Sequence, residues 1–401
     1  MNEKNSHLPL SGVRALELSH AILGPSCGQI LADMGAEVIR IERAPEGDYT
    51  RELKGFGIGF HTYFNRNKKS IVLDLKSEKG KEVLKKLIAS ADVMYDNFGP
   101  GAMDRLGFGY EACDAINPGI VYCSLKGFMP GPYEHRPSLD NLVQMMGGLA
   151  YMTGPAGRPL RAGTSVIDIM GGTFGALGII TALYERKTTG KGQLVRAALF
   201  EATAYLVGQH MAMAAFTGEP PPPMPEGEMP WGVYDLFTTA DGEMIFIGMT
   251  SDFHWKRFCE VFGQEELFAD ERLKTNNSRC AERKWLIPRL SEMFKRMSSE
   301  EVVAGCEKSV IPFAPIRRPD ELIEDPHLNR SGGLVETVLP SGKKAKLPKI
   351  PLRLGEYDFG LRNEPPEPGE GTHEILKSIG LDKKEIDDLI GKGIVCFKKC
   401  K

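Results

Sequence analysis

In the first 130 residues, five short apolar runs alternate with segments of helical period, and that alternation narrows the fold to one class. VRALEL at 13–18 reads as a buried strand, followed by a turn through Gly24-Pro25 and a short helix to about Met34. AEVIRIE at 36–42, SIVLDL at 70–75, DVMYDNF at 92–98 and IVYCSLKGF at 120–128 read as the other strands. A helix starting near Ser77 sets Val83, Leu84, Leu87 and Ile88 at helical spacing. Parallel neighbours need crossover connections, so this pattern predicts an α/β chain: a parallel sheet with helices on its faces.

Farther along, an apolar helix is expected from about Met170 to Tyr184, ended by the polar KTTGKG turn, then a strand (QLVRAAL) and a helix to about Phe216. GEPPPPMPEGEMP at 218–230 contains six prolines and sustains neither regular structure, which marks a stiff linker. VYDLFTTADGEMIFIGM beyond it reads as a hairpin turned at Ala240-Asp241-Gly242, followed by amphipathic helices to about Gly305. LVETVLPSGKKAKLPKI is a second hairpin, turned at Pro340-Ser341-Gly342, and 371–389 is helical. With 401 residues, two domains are expected. The divisions are a large domain over 1–217, the linker over 218–230, a small α+β domain over 231–330, and a return segment over 331–401 completing the large domain.

A net charge of −3 argues against nucleic acid as a partner, yet leaves room for a local basic pocket. The eight cysteines are scattered without CxxC or zinc-like spacing, which predicts free thiols and no metal; Cys396 and Cys400 fall in an expected frayed tail. MNEKNSHLPLSG lacks a signal-peptide core, and no apolar run approaches about 20 residues, so a soluble cytoplasmic protein without a membrane partner is expected.

The strand–turn–helix–strand opening outlines a dinucleotide-binding unit, with Glu42 placed 18 residues after Gly24. Its turn reads HAILGPSCG rather than GxGxxG, so nicotinamide chemistry is not supported. No HExxH, GxSxG or P-loop occurs either. Asp168, in AGTSVIDIMGG, reads first as a helix N-cap. The paired Gly171 and Gly172 weaken the helix that follows, which points to close approach by another helix or a ligand. A carboxylate in that apolar setting, at the positive end of a helix dipole, also suits a nucleophile. Arg43, Arg66, Lys68, Lys69, Lys76 and Arg105 are expected along one sheet edge, as solvated loop charges or as a phosphate-binding set. His20 lies near that edge, while His61, His135 and His210 have no partner pattern.

LSGVRALELSHAILGP, DMGAEVIRIERAPEGDYTR, FNRNKKSIVLDLKSEKG, NFGPGAMDRLGF, INPGIVYCSLKGF, ALYERKTTGKGQ and GEGTHEILKSIGL, taken together from about Leu10 to Val395, resemble the class III CoA-transferases. That is the family of formyl-CoA, carnitinyl-CoA and benzylsuccinate transferases. The resemblance implies a Rossmann-like CoA-binding large domain, a small α+β domain and a ring-shaped, interlocked dimer. It implies Asp168 as covalent nucleophile, accompanied by Asp140. Coenzyme A contacts fall on Ile22 and Leu23 through their backbone, and on Arg43, Leu73, Lys76, Asn97, Phe98, Arg105 and Leu106.

The implied chemistry moves CoA from an acyl-CoA to an acceptor acid through aspartyl anhydride and aspartyl-CoA thioester intermediates, which hydrolyse unless water is kept away. His20, Arg51, Lys126, Arg136 and Arg161 are the candidates to hold a substrate carboxylate, with succinyl-CoA as donor and benzylsuccinate or another dicarboxylate as acceptor. Met145, Met146, Met152, Met170, Met211 and Met213 are core residues or the lining of an adaptable pocket. Two departures stand out: PEGEMPWGVYD lacks the glycine run of some members, and Pro137 beside Arg136 replaces the lysine of formyl-type members. A racemase of the same superfamily carries His-Asp where this chain has Leu139-Asp140, so a two-base mechanism lacks a partner. Pairing with a paralogous subunit is the other alternative to a homodimer.

Overall fold

The structure, a computed structural model, describes residues 7–397. It forms two compact units, one of residues 7–225 with 327–397 and one of residues 226–326.

The larger unit is built on a seven-stranded sheet of β1 (Arg14–Leu18), β2 (Glu37–Arg43), β3 (Lys69–Leu73), β4 (Val93–Asp96), β5 (Val121–Lys126), β6 (Gln193–Ala198) and a late edge strand, Val395–Cys396. The order is edge strand–β3–β2–β1–β4–β5–β6, parallel throughout except for the edge strand, which runs antiparallel to β3. The expected frayed tail is therefore corrected: Val395 and Cys396 add backbone pairing to the open side of β3, while Cys400 lies outside the described residues. The strand order reverses between β1 and β4, which opens a crevice at the carboxyl ends of the strands.

Helices α1 (Leu23–Asp33), α2 (Asp140–Met146) and α3 (Val166–Thr189) cover one face, over a core that includes Ala15, Val93, Tyr95 and Cys123. The helices Glu78–Ala89, Thr372–Ser378 and Lys383–Gly391 cover the other, over Leu16, Leu18, Ile39 and Met94. Successive residues of β1 thus feed opposite cores, the period-two consequence of a sheet buried on both sides. At 24 residues, α3 is longer than its expected span and apolar enough, by length and composition, to cross a membrane. Here one of its faces is core, packed on α1, β5 and β6.

In the smaller unit, β7 (Val233–Thr238), β8 (Met244–Met249) and β9 (Phe313–Pro315) form an antiparallel sheet. Its core gathers Phe237, Trp255, Phe258 and Phe294. Gly242, at φ 82°, completes the β7–β8 turn. The hairpin β10 (Leu334–Val338) and β11 (Lys344–Pro348) belongs to the larger unit.

Candidate active site

Asp168 stands in the first turn of α3, third from its start, and is not the cap that the sequence suggested. The boundary residue Ser165 makes no side-chain cap either. Two of the orphan amides are instead satisfied from 27 and 28 residues upstream. Asp140 Oδ2 accepts from the Ile167 amide at 2.9 Å and the Asp168 amide at 3.2 Å. Asp140 Oδ1 accepts from Gln144 Nε2 at 2.6 Å, one helical turn on in α2. With the capping done by a neighbour, the Asp168 side chain is left for other work.

The glycine pair is explained by α1. A Cβ at Gly172 would lie 2.0 Å from Ser26 Oγ and 2.8 Å from the Leu23 carbonyl oxygen, and one at Gly171 would lie 2.8 Å from Leu23 Cδ1. Another helix, rather than a ligand, occupies that space. Burial is the largest influence on Asp168 and the nearby Asp140 charge the second; together they push its carboxyl up to about 7, with Arg161 pulling the other way. Arg161 is half-buried, donates through Nε to the Ala162 carbonyl at 2.8 Å, and stacks 5.1 Å from the Phe56 ring centroid.

On the same unit, two clefts share Ile41, Glu42, Arg43 and Phe98 at the carboxyl ends of the strands. One, of about 220 Å³, is lined by Arg43, Leu73, Lys76, Phe98 and Leu106, five of the nine expected CoA positions. The other, of about 400 Å³, is lined by His20, Arg43, Asp48, Tyr49 and Phe98. Arg43 and Lys76 are exposed there and free to meet anionic groups. Ile22 and Leu23 open α1, whose N-terminus has no side-chain cap. Asn97 lines neither cleft; its carboxamide accepts from the His20 amide at 3.0 Å and donates to the His20 carbonyl at 2.8 Å, holding the turn in which Ala21 takes φ 61°. Arg105 is exposed and donates to the Pro100 carbonyl, outside both clefts.

Other expected cations have different duties. Arg66 pairs with buried Asp33, Lys68 with buried Glu17, and Lys69 with Glu37 and Glu374, all where the chain enters β3 rather than where it leaves. Arg51 forks onto Glu42, and Lys126 pairs with buried Asp96. Glu42, which the dinucleotide outline would give to a ribose, also accepts from Ser70 Oγ. Arg136 is exposed and lies 4.1 Å over the Tyr133 ring. His20 stacks on Phe98 at 5.7 Å, and burial lowers its pKa. None of the six methionines lines either cleft: Met152 is core, Met170 packs against it, and Met145, Met146, Met211 and Met213 are exposed. The sequence reading passed over Gln144, although its i,i+4 spacing from Asp140 was the available signal. It also passed over Asp48 and Tyr49.

The profile of CoA-transferase family III matches residues 10–372. The succinate–glutarate CoA-transferase of Agrobacterium fabrum is 31% identical, over 95% of this chain and 98% of its own length. A formyl-CoA:oxalate CoA-transferase of Bradyrhizobium diazoefficiens is 35% identical, over 96% of each chain. Among solved structures, a CAIB/BAIF family protein from Brucella suis superposes with a TM-score of 0.82 at 32% identity, over 93% of this chain and 99% of that one. A mixed α/β chain with this parallel sheet, matched to its relatives from end to end, belongs to CoA-transferase family III and is a CoA-transferase.

Proposed function

We propose that the protein moves CoA from succinyl-CoA to a short dicarboxylic acid, with Asp168 as covalent nucleophile. One observation carries the reading. A carboxyl poised near 7 sits in the first turn of an apolar helix with its capping duty taken over by Asp140.

Asp168 attacks the donor thioester carbonyl, forming an aspartyl–acyl anhydride and releasing CoA thiolate. The thiolate attacks the aspartyl carbonyl, releases the donor acid and leaves an aspartyl-CoA thioester. The acceptor carboxylate then displaces CoA from that thioester, giving a second anhydride. Attack of the thiolate on the acceptor's acyl carbonyl yields the new acyl-CoA and restores Asp168. Ile22, Leu23, Arg43, Leu73, Lys76, Phe98 and Leu106 hold the CoA, and Asn97 keeps the turn that carries His20 in place. Arg161 is the favoured holder of the distal carboxylate, because it acts on Asp168 and its guanidinium donates only to the neutral Ala162 carbonyl and Asn141 carboxamide oxygens, whereas Arg51 and Lys126 are paired with carboxylates.

Relatives named for succinate, glutarate and oxalate favour a small aliphatic diacid. Glutarate and succinate therefore lead the acceptor panel, with benzylsuccinate as the bulkier arm. A racemase is disfavoured because the residue before Asp140 is an exposed leucine.

A second copy of the chain completes the reading. Leu177, Tyr184, Tyr205 and Phe216 are 58%, 75%, 72% and 93% exposed, large apolar side chains of the kind a partner surface covers. An interlocked homodimer would cover them, and light scattering on the purified protein distinguishes that from a chain awaiting a paralogue. Incubation with succinyl-CoA, a hydroxylamine quench and peptide mapping test the chemistry. A hydroxamate on Asp168 supports the reading; unmodified Asp168 in a protein that exchanges an acyl-CoA α-proton overturns it.

A further inference from the structure

Gln144 is completely buried, and both ends of its carboxamide are engaged. Nε2 donates to Asp140 Oδ1 at 2.6 Å, and Oε1 accepts from the Ala162 amide at 2.8 Å. The partners fix this orientation, because a carboxylate only accepts and a backbone N–H only donates. Through its first contact, Gln144 sets the Asp140 carboxylate whose other oxygen receives the Ile167 and Asp168 amides. Through its second, it sets the segment in which Arg161 donates to the Ala162 carbonyl. The two charged groups that act on Asp168, Asp140 from α2 and Arg161 from the loop before α3, are therefore tied to one amide.

We propose that Gln144 is a positioning residue for the nucleophile: it holds Asp140 under the first turn of α3 and the Arg161 segment beside it, so that Asp168 meets the thioester in a single arrangement. This rests on the reading of Asp168 as covalent nucleophile. Without the amide, Asp140 Oδ1 is a buried acceptor lacking a donor, and the carboxylate turns away from the helix amides to find one. The Ala162 segment is released at the same time. Binding of CoA, at Arg43 and Lys76, is untouched. The residue thus affects the chemical step and not acyl-CoA capture.

The full-length protein tests this in four variants: Gln144→Met, Gln144→Glu, Asp140→Asn, and Asp140→Asn with Gln144→Glu, each checked for folding by circular dichroism. Gln144→Met keeps the length and burial but loses both polar contacts. Its kcat should fall about 100-fold, the cost of a misplacement near 1 Å. Its KM for succinyl-CoA should stay within about twofold of wild type. Gln144→Glu sets two carboxylates against each other and should fall at least as far. The double variant reverses donor and acceptor across the same contact: the new amide at 140 donates to the new carboxylate at 144, which still accepts from Ala162. It should exceed both of its single variants about tenfold, a rescue that a packing role does not provide.

A Gln144→Met kcat within about threefold of wild type overturns the proposal, as does a double variant no better than Gln144→Glu. If Gln144→Met fails to fold, the comparison of the double variant with its singles decides alone. Hydroxylamine trapping on wild type separates the two levels. An Asp168 adduct with an indifferent Gln144 sinks only the positioning role; turnover without an adduct sinks the nucleophile and the positioning role together.

Discussion

Glu17 and Asp168 are both held away from water against α1, yet they are opposites. Glu17 lies 2.8 Å from Lys68 and 3.2 Å from Arg40, and accepts from Tyr95 Oη at 2.5 Å and Ser19 Oγ at 2.7 Å. Burial favours its neutral form, but Lys68 and Arg40 outweigh burial and hold its pKa below the usual carboxylate value. Among the described residues no side chain donates to the Asp168 carboxyl, and the Asp140 charge opposes its ionisation. Burial is the largest influence on both, yet the outcome is an inert anion in one place and a reactive, proton-hungry group in the other. Partner supply, not depth, assigns the roles.

The largest effect expected from breaking this contrast is at Asp168. Asp168→Asn should lower transfer about 10⁴-fold, because an amide is no nucleophile for the thioester. The same variant should stabilise the apoprotein. With a folded pKa of about 7 against an unfolded value near 3.8, the folded chain keeps a proton that the unfolded chain releases as pH rises between the two. Stability therefore declines from pH 4 to 7, and a penalty on the order of 2–4 kcal/mol remains above it. Urea denaturation at pH 8 should show Asp168→Asn gaining in that range, with the gain absent at pH 4. An equal gain at both values would remove the ionisation argument.

Glu17 should respond in the reverse sense. Lys68→Met leaves a buried charge short of a partner and should cost about 3–5 kcal/mol, while Lys68→Met with Glu17→Gln should recover most of it. Because the Glu17 pKa is depressed on folding, its contribution is present above the unfolded value and is lost as pH falls through the folded one. Acid titration of the melting temperature, wild type against the double variant, checks the sign.

What could be read from the sequence follows the same division. Parallel strands buried on both faces are continuous apolar runs, so β1 to β5 were visible within a residue or two at most of their ends. Strands of two and three residues, Val395–Cys396 and β9, carry no period and were missed. Charge partners were out of reach of any local pattern: Lys69 meets Glu374 305 residues away, and the α3 amides meet Asp140. Hence Arg66, Lys68 and Arg51 looked available for ligands when they were committed to carboxylates. Composition could place Asp168 at a helix start, but only the packed chain shows what relieves it of capping.

A smaller effect is expected in the cleft. Arg43→Ala should raise the KM for acyl-CoA about tenfold with kcat nearly constant, since an exposed cation holds an anion equally well in the ground and transition states. A fall in kcat with KM unchanged would move Arg43 from binding into the chemical step.

The smallest effect is the most discriminating, because it tunes Asp168 without touching its carboxyl. Asp140 raises the proton affinity of Asp168 and Arg161 lowers it, so the acid limb of kcat/KM should lie near pH 7 in wild type. Removing the cation in Arg161→Gln should move that limb upward by about half a unit, since the anion loses a favourable neighbour. The same substitution should raise the KM for glutarate if the guanidinium also holds the distal carboxylate. A shifted limb with unchanged glutarate KM confines Arg161 to tuning the nucleophile. A raised glutarate KM with a fixed limb makes Arg161 a substrate clamp whose field does not reach Asp168, and the desolvated pair of carboxylates alone then sets the reactivity of the site.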